Sequence, residues 1–90
     1  MLIIKDKLFV QKLKSILKYI AKDKHSAAIS FEYHLSQKFS LLKSSPNIYK
    51  QSKCFQDTNY RDLIHQGYTI IYKIEEKRIL ILEIFKWQDR

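Results

Sequence analysis

The last third of this 90-residue chain holds three short apolar runs set close together. Arg61-Asp62-Leu63-Ile64, Gly67-Tyr68-Thr69-Ile70-Ile71-Tyr72-Lys73-Ile74 and Ile79-Leu80-Ile81-Leu82-Glu83-Ile84-Phe85-Lys86-Trp87 are separated only by turn-like polar residues. Runs this short, rich in β-branched and aromatic residues and so closely spaced, fold as successive antiparallel hairpins. Strands are expected from Tyr60 to about His65, from Tyr68 to Ile74 and from Ile79 to Phe85, with turns at Gln66-Gly67 and Glu75-Glu76-Lys77-Arg78. A weaker strand is expected somewhere between Tyr49 and Gln56, followed by a turn at Asp57-Thr58-Asn59.

The first half supplies a cover for that sheet. Phe9, Leu13, Ile16, Leu17 and Ile20 recur at spacings of three and four, with Lys12, Lys14 and Lys18 between them, which makes an amphipathic helix. The polar cluster Asp23-Lys24-His25-Ser26 interrupts the pattern, and Ala27, Ala28, Phe31, Leu35, Phe39 and Leu42 resume it. So short a connection implies a helical hairpin. Pro46 ends it, since proline has no amide hydrogen and biases Ser45 toward extended geometry. Ahead of the helices, Leu2 to Ile4 reads as a strand and Asp6 as an N-cap. The expected fold is α+β, one domain over residues 1–90, ordered β-α-α-β-β-β, with the helical hairpin on one face of a small, mainly antiparallel sheet.

Alternation within the strands gives Tyr68, Ile70, Tyr72 and Ile74 one face and Thr69, Ile71 and Lys73 the other. The Ile79 to Phe85 strand is apolar on both faces except at Glu83, as for a central strand whose second face needs another cover. Such a surface commonly marks a binding site.

Charge narrows the classes of partner. Seventeen Lys and Arg against nine Asp and Glu give a net charge of +8, an attraction for nucleic acid, acidic peptide or phospholipid. Cys54, the single cysteine, excludes an intramolecular disulfide and a cysteine-only metal site, which fits a reducing cytoplasm. His25 and His34 lack acidic or thiol neighbours at ligand spacing, so neither metal nor cofactor is expected. Gly67, the sole glycine, rules out a glycine-rich phosphate loop. The opening Met1-Leu2-Ile3-Ile4 is too short an apolar stretch for a signal peptide or membrane span, and a cytoplasmic protein is expected.

The element order, with Tyr19-Ile20-Ala21-Lys22-Asp23 closing the first helix, Ala27-Ala28 opening the second, Pro46 after it, and the Arg61-to-Trp87 block, resembles the RelE/ParE family of toxins. That resemblance implies the toxin of a type II toxin–antitoxin system, neutralised by a cognate antitoxin. In the RelE branch, a messenger-RNA endoribonuclease acting on the ribosome, it implies a catalytic role for Arg61 with Lys50 and Lys53. After Trp87 come only Gln88, Asp89 and Arg90, without the tyrosine or histidine near the C-terminus that many RelE members carry. The ending is more similar to the ParE branch, whose characterised members poison DNA gyrase by binding, and that branch is the expectation here. Arg61, Tyr72, Phe85, Lys86 and Trp87 are then the expected antitoxin- or target-binding residues.

Each candidate also has an ordinary reading. Arg61 suits either a phosphate or an ion pair with Asp62 or Glu83. His65 reads as a solvated histidine near a turn rather than an acid or base. Lys12, Lys14, Lys18, Lys22 and Lys24 form either a partner surface or a solvated face, and Tyr60, Tyr68, Tyr72 and Trp87 either stack on bases or pack across strands.

Overall fold

The computed structural model describes residues 1–86. Its elements run β1 (Leu2–Lys5), α1 (Lys7–Asp23), α2 (His25–Ser44), β2 (Lys50–Gln51), β3 (Tyr60–His65), β4 (Tyr68–Ile74) and β5 (Arg78–Lys86). The helices pack on each other and on one face of a five-stranded sheet ordered β1-β5-β4-β3-β2. Only the β1–β5 pairing is parallel; the others are antiparallel. The weak strand expected after Pro46 is the two-residue β2.

Local chemistry sets the boundaries. Asp6 starts α1 by accepting the Leu8 amide hydrogen at 2.8 Å. Lys24 alone interrupts the helices, a tighter break than the four-residue polar cluster suggests. At the β3–β4 turn, Gln66 (φ 49°) and Gly67 (φ 86°) both lie in the left-handed region, the two-residue geometry whose twist matches that of paired strands. The Asp57 carboxylate accepts the Asn59 amide hydrogen at 2.8 Å and holds the loop before β3.

Phe9 of α1 and Phe31, Leu35, Phe39 and Leu42 of α2 meet Leu63, Ile70, Tyr72, Ile79, Ile81 and Ile84 of the sheet. Phe9 and Phe39 meet edge to face, with centroids 5.9 Å apart. Leu13, Ile16, Leu17 and Ile20 are partly buried around this core.

β5 departs from simple alternation. Tyr72 pairs with Ile81 but Ile71 with Glu83, so Leu82 is an extra residue, a bulge that shifts the phase of the strand. Ile84 thereby joins Ile79 and Ile81 against the helices, all fully buried. β1 pairs only with Arg78 to Ile81, leaving the second half of β5 beside α1. There Lys12 Nζ lies 3.0 Å from Glu83 Oε1, which also accepts the Ile84 amide hydrogen.

Among the described residues, no helix is long and apolar enough to cross a membrane.

Candidate functional site

β3 carries the residues that sequence reasoning singled out, and its register decides which of them can act together. Lys50 pairs with Asp62 and Gln51 with Arg61. Paired residues share a face and successive residues alternate, so Lys50 stands on the open face of the sheet and Arg61 on the helix side. Arg61, half-buried opposite Tyr72, donates from Nη1 to the Tyr49 carbonyl and from Nε to the Thr58 carbonyl, both at 2.9 Å. Neither Asp62 nor Glu83 is its partner. The guanidinium fork instead ties both arms of the Tyr49-to-Tyr60 excursion to β3.

Tyr72 belongs to the same cluster. It is fully buried, its hydroxyl donates to the Pro46 carbonyl at 2.8 Å, and its ring meets Tyr49 edge to face at 6.5 Å. Burial pushes its phenol up to about 12, against the opposing pull of the Arg61 charge. Tyr49 is also raised by burial. Tyr72 thus offers no surface to a partner, contrary to its expected role as a binding residue.

His65 corrects a second expectation. It is 1% exposed rather than solvated, with Nε2 3.1 Å from the Phe31 carbonyl and its ring edge-on to Phe31 at 4.6 Å. Burial lowers its pKa; the Phe31 carbonyl opposes this, and Lys38 and His34 add to it. The signal was present in the sequence, since Arg61, Leu63 and His65 alternate together onto the helix side.

Two of the open grooves among the described residues are lined by residues singled out in the sequence. One, of about 490 Å³, runs between α1 and the end of β5 and is lined by Leu8, Lys12, Ile16, Tyr68, Phe85 and Lys86 among others. Of the residues expected to meet a partner, Phe85 and Lys86 line this groove, whereas Trp87 lies outside the described residues. The other, of about 540 Å³ on the open face, is lined by Ile48, Lys50, Lys53, Asp62, Ile64 and neighbours. Asp62 accepts the Lys53 amide hydrogen at 3.1 Å through Oδ2, while its buried Oδ1 has no hydrogen-bond partner. On the same face Tyr60 stacks on Phe55 at 4.2 Å, and the Lys73 ammonium lies 5.4 Å from the Tyr60 ring centre. Ile48 and Ile64, each about half exposed, escaped the sequence reading because isolated isoleucines in strands and loops read as core. Among the described residues, no three His, Cys, Asp or Glu side chains are grouped to hold a metal ion.

A sequence-family model described as the ParE toxin of type II toxin–antitoxin systems, parDE, matches residues 3–89. The chain belongs to the ParE toxin family. Among solved structures, a chain of the chromosomal ParDE toxin–antitoxin system from P. aeruginosa superposes with a TM-score of 0.74. At 16% identity over 96% of this chain and 95% of that one, the likeness shows that the ParE fold is shared. A search of curated protein sequences gave no significant match. The fold is therefore that of a type II toxin, and the ParE rather than the RelE branch is the one matched.

Proposed function

We propose that this toxin acts by binding a cellular target, DNA gyrase, and that a cognate antitoxin encoded beside it holds it silent. The observation that carries the reading is the divergence of Lys50 and Arg61 to opposite faces of the sheet, with the guanidinium of Arg61 engaged by two backbone carbonyls. A nuclease needs its charged groups converging on one phosphate; a binding toxin does not. Membership in the ParE family supports the same reading.

The antitoxin contact is assigned to the groove between α1 and the end of β5, with Phe85 as apolar anchor and Lys12 and Lys86 at its rim. The lysines of α1 speed the encounter with an acidic segment, and the apolar floor slows its release. Such a toxin works in the cytoplasm, where it halts growth when the antitoxin is lost and so stabilises a plasmid that encodes the pair.

Purified protein added to a gyrase supercoiling reaction tests this. Inhibition with gyrase-dependent DNA cleavage, relieved by the small acidic protein of the adjacent reading frame, is the expected outcome. Unimpaired gyrase together with mapped cleavage of ribosome-bound messenger would move the assignment to the endoribonuclease activity of the RelE branch, with Lys50, Lys53 and Arg61 to be tested in turn.

A further inference from the structure

The outward face of α1 is a row of like charges. Lys7, Lys14, Lys18 and Lys22 are all exposed and, with Gln11 among them, fall within about a quarter of the helix circumference at 3.6 residues per turn. The row runs about 22 Å, roughly opposite the side that Phe9 buries in the core. None of its four lysines lines either groove described above. Among the described residues, no carboxylate forms an ion pair with any of them.

A helix face that meets only water gains by alternating its charges, because an acid four residues before a lysine supports the helix and a second lysine there weakens it. α1 does the reverse. Lys14, Lys18 and Lys22 follow one another at intervals of four, and Lys7 stands in the first turn, where the helix dipole favours an acid and none is present. The one carboxylate of the helix, Asp23, is its last residue, where the dipole disfavours it, and it stands off the row. The lysine placements each disfavour the isolated helix, and an anion lying along the row relieves them together.

We propose that this row seats the phosphate backbone of double-stranded DNA. The choice of DNA among duplexes rests on the target proposed above, an enzyme that acts on DNA and so sets the bound toxin beside it. The choice of a duplex comes from the row itself. It holds no aromatic ring on which bases could stack, as single strands require. An acidic protein segment is held by apolar contacts as well as charge, and those lie on the neighbouring flank, in the groove lined by Leu8, Ile16 and Phe85. A membrane-surface helix needs its apolar face free, whereas in α1 Phe9 is fully buried and Leu13 and Leu17 pack against the core. Duplex DNA asks for neither rings nor an apolar floor. Lysines gain affinity for it by displacing condensed counterions, without reading sequence. Along about 22 Å one strand presents roughly six phosphates, enough for four lysines.

Fluorescence anisotropy of a short labelled DNA duplex of arbitrary sequence, titrated with the intact protein over a salt series and without gyrase, tests this. The dissociation constant should rise with salt at a logarithmic slope of about 3 to 4, as four phosphate contacts give. Lys14→Gln combined with Lys18→Gln should weaken binding at low salt by about tenfold or more and lower the slope by about two. Lys43→Gln combined with Lys77→Gln removes the same charge from exposed sites outside the row and should change binding little. Equal losses in the two double variants would show a response to net charge alone and overturn the assignment. So would the absence of binding at low salt, and so would tighter binding of single-stranded DNA or of duplex RNA. Duplex DNA bound through the row by a protein that leaves gyrase untouched would keep the assignment and remove the proposed target instead.

Discussion

Arg61 reaches past its own strand to the carbonyl oxygen of Tyr49, 2.9 Å from its Nη1, in the segment that precedes β2. Arg61→Ala should therefore destabilise the fold whatever its effect on toxicity. The substitution leaves the Tyr49 and Thr58 carbonyls without their donor, at a cost of about 1–3 kcal/mol if the gap is not filled by water. Urea denaturation of the two proteins measures the difference directly. Arg61→Lys keeps the charge but loses the two-pronged fork, and should recover only part of the loss. Loss of toxicity in Arg61→Ala without loss of stability would instead assign the side chain to a partner.

Tyr72 belongs to the same cluster, and its hydroxyl donates to the Pro46 carbonyl at 2.8 Å. Tyr72→Phe keeps the ring that fills the core and removes the hydroxyl, with its bond to the Pro46 carbonyl and its interaction with the Tyr49 backbone. About 0.5–1.5 kcal/mol of stability should be lost, with binding to antitoxin unchanged because the residue is fully buried. Calorimetry for stability and titration of the antitoxin for affinity separate the two. A marked loss of affinity at preserved stability would return Tyr72 to the surface.

The fold was legible because periodicity and punctuation agree in this chain: spacings of three and four end at Pro46, and apolar runs begin again after Gln66-Gly67. The departures have physical causes that a single sequence does not display. Ile84 turns inward because the strand bulges at Leu82, which depends on how β5 meets β4. Arg61 was legible as important but not as a clamp, because its acceptors are backbone carbonyls and carry no residue identity. His65 was misread through its nearness to a turn, although alternation with Leu63 already pointed it inward. Lys50 and Lys53 stood near Arg61 in the chain, but proximity in sequence carries no face until a register is known.

His65 should make stability fall under mildly acidic conditions. Its folded pKa lies below the ordinary value of about 6.5, so between those two values the unfolded chain binds more protons than the folded one. Stability is then complete above about pH 6.5 and declines as the pH falls through the folded value. His65→Gln retains an amide donor for the Phe31 carbonyl but cannot titrate. Melting temperatures of the two proteins compared from pH 7.5 downward should diverge, with the wild type falling more steeply below about pH 6.5. Parallel curves would show that His65 does not govern the decline.

The lysines of α1 should govern how fast an acidic antitoxin arrives rather than how long it stays. Lys14, Lys18 and Lys22 lie on exposed turns of α1, while Lys12 already pairs with Glu83. Converting Lys14 and Lys18 to glutamate lowers the net charge by four and reverses the local field. The association rate at low salt should drop by about tenfold or more, and its salt dependence should flatten. Dissociation should change little, because release is set by the apolar floor of the groove around Ile16, Tyr68 and Phe85. Phe85→Ala should do the converse, speeding dissociation while leaving association nearly unchanged. Stopped-flow mixing over a salt series reads both rates, and a lysine variant that altered only dissociation would place those side chains inside the contact instead.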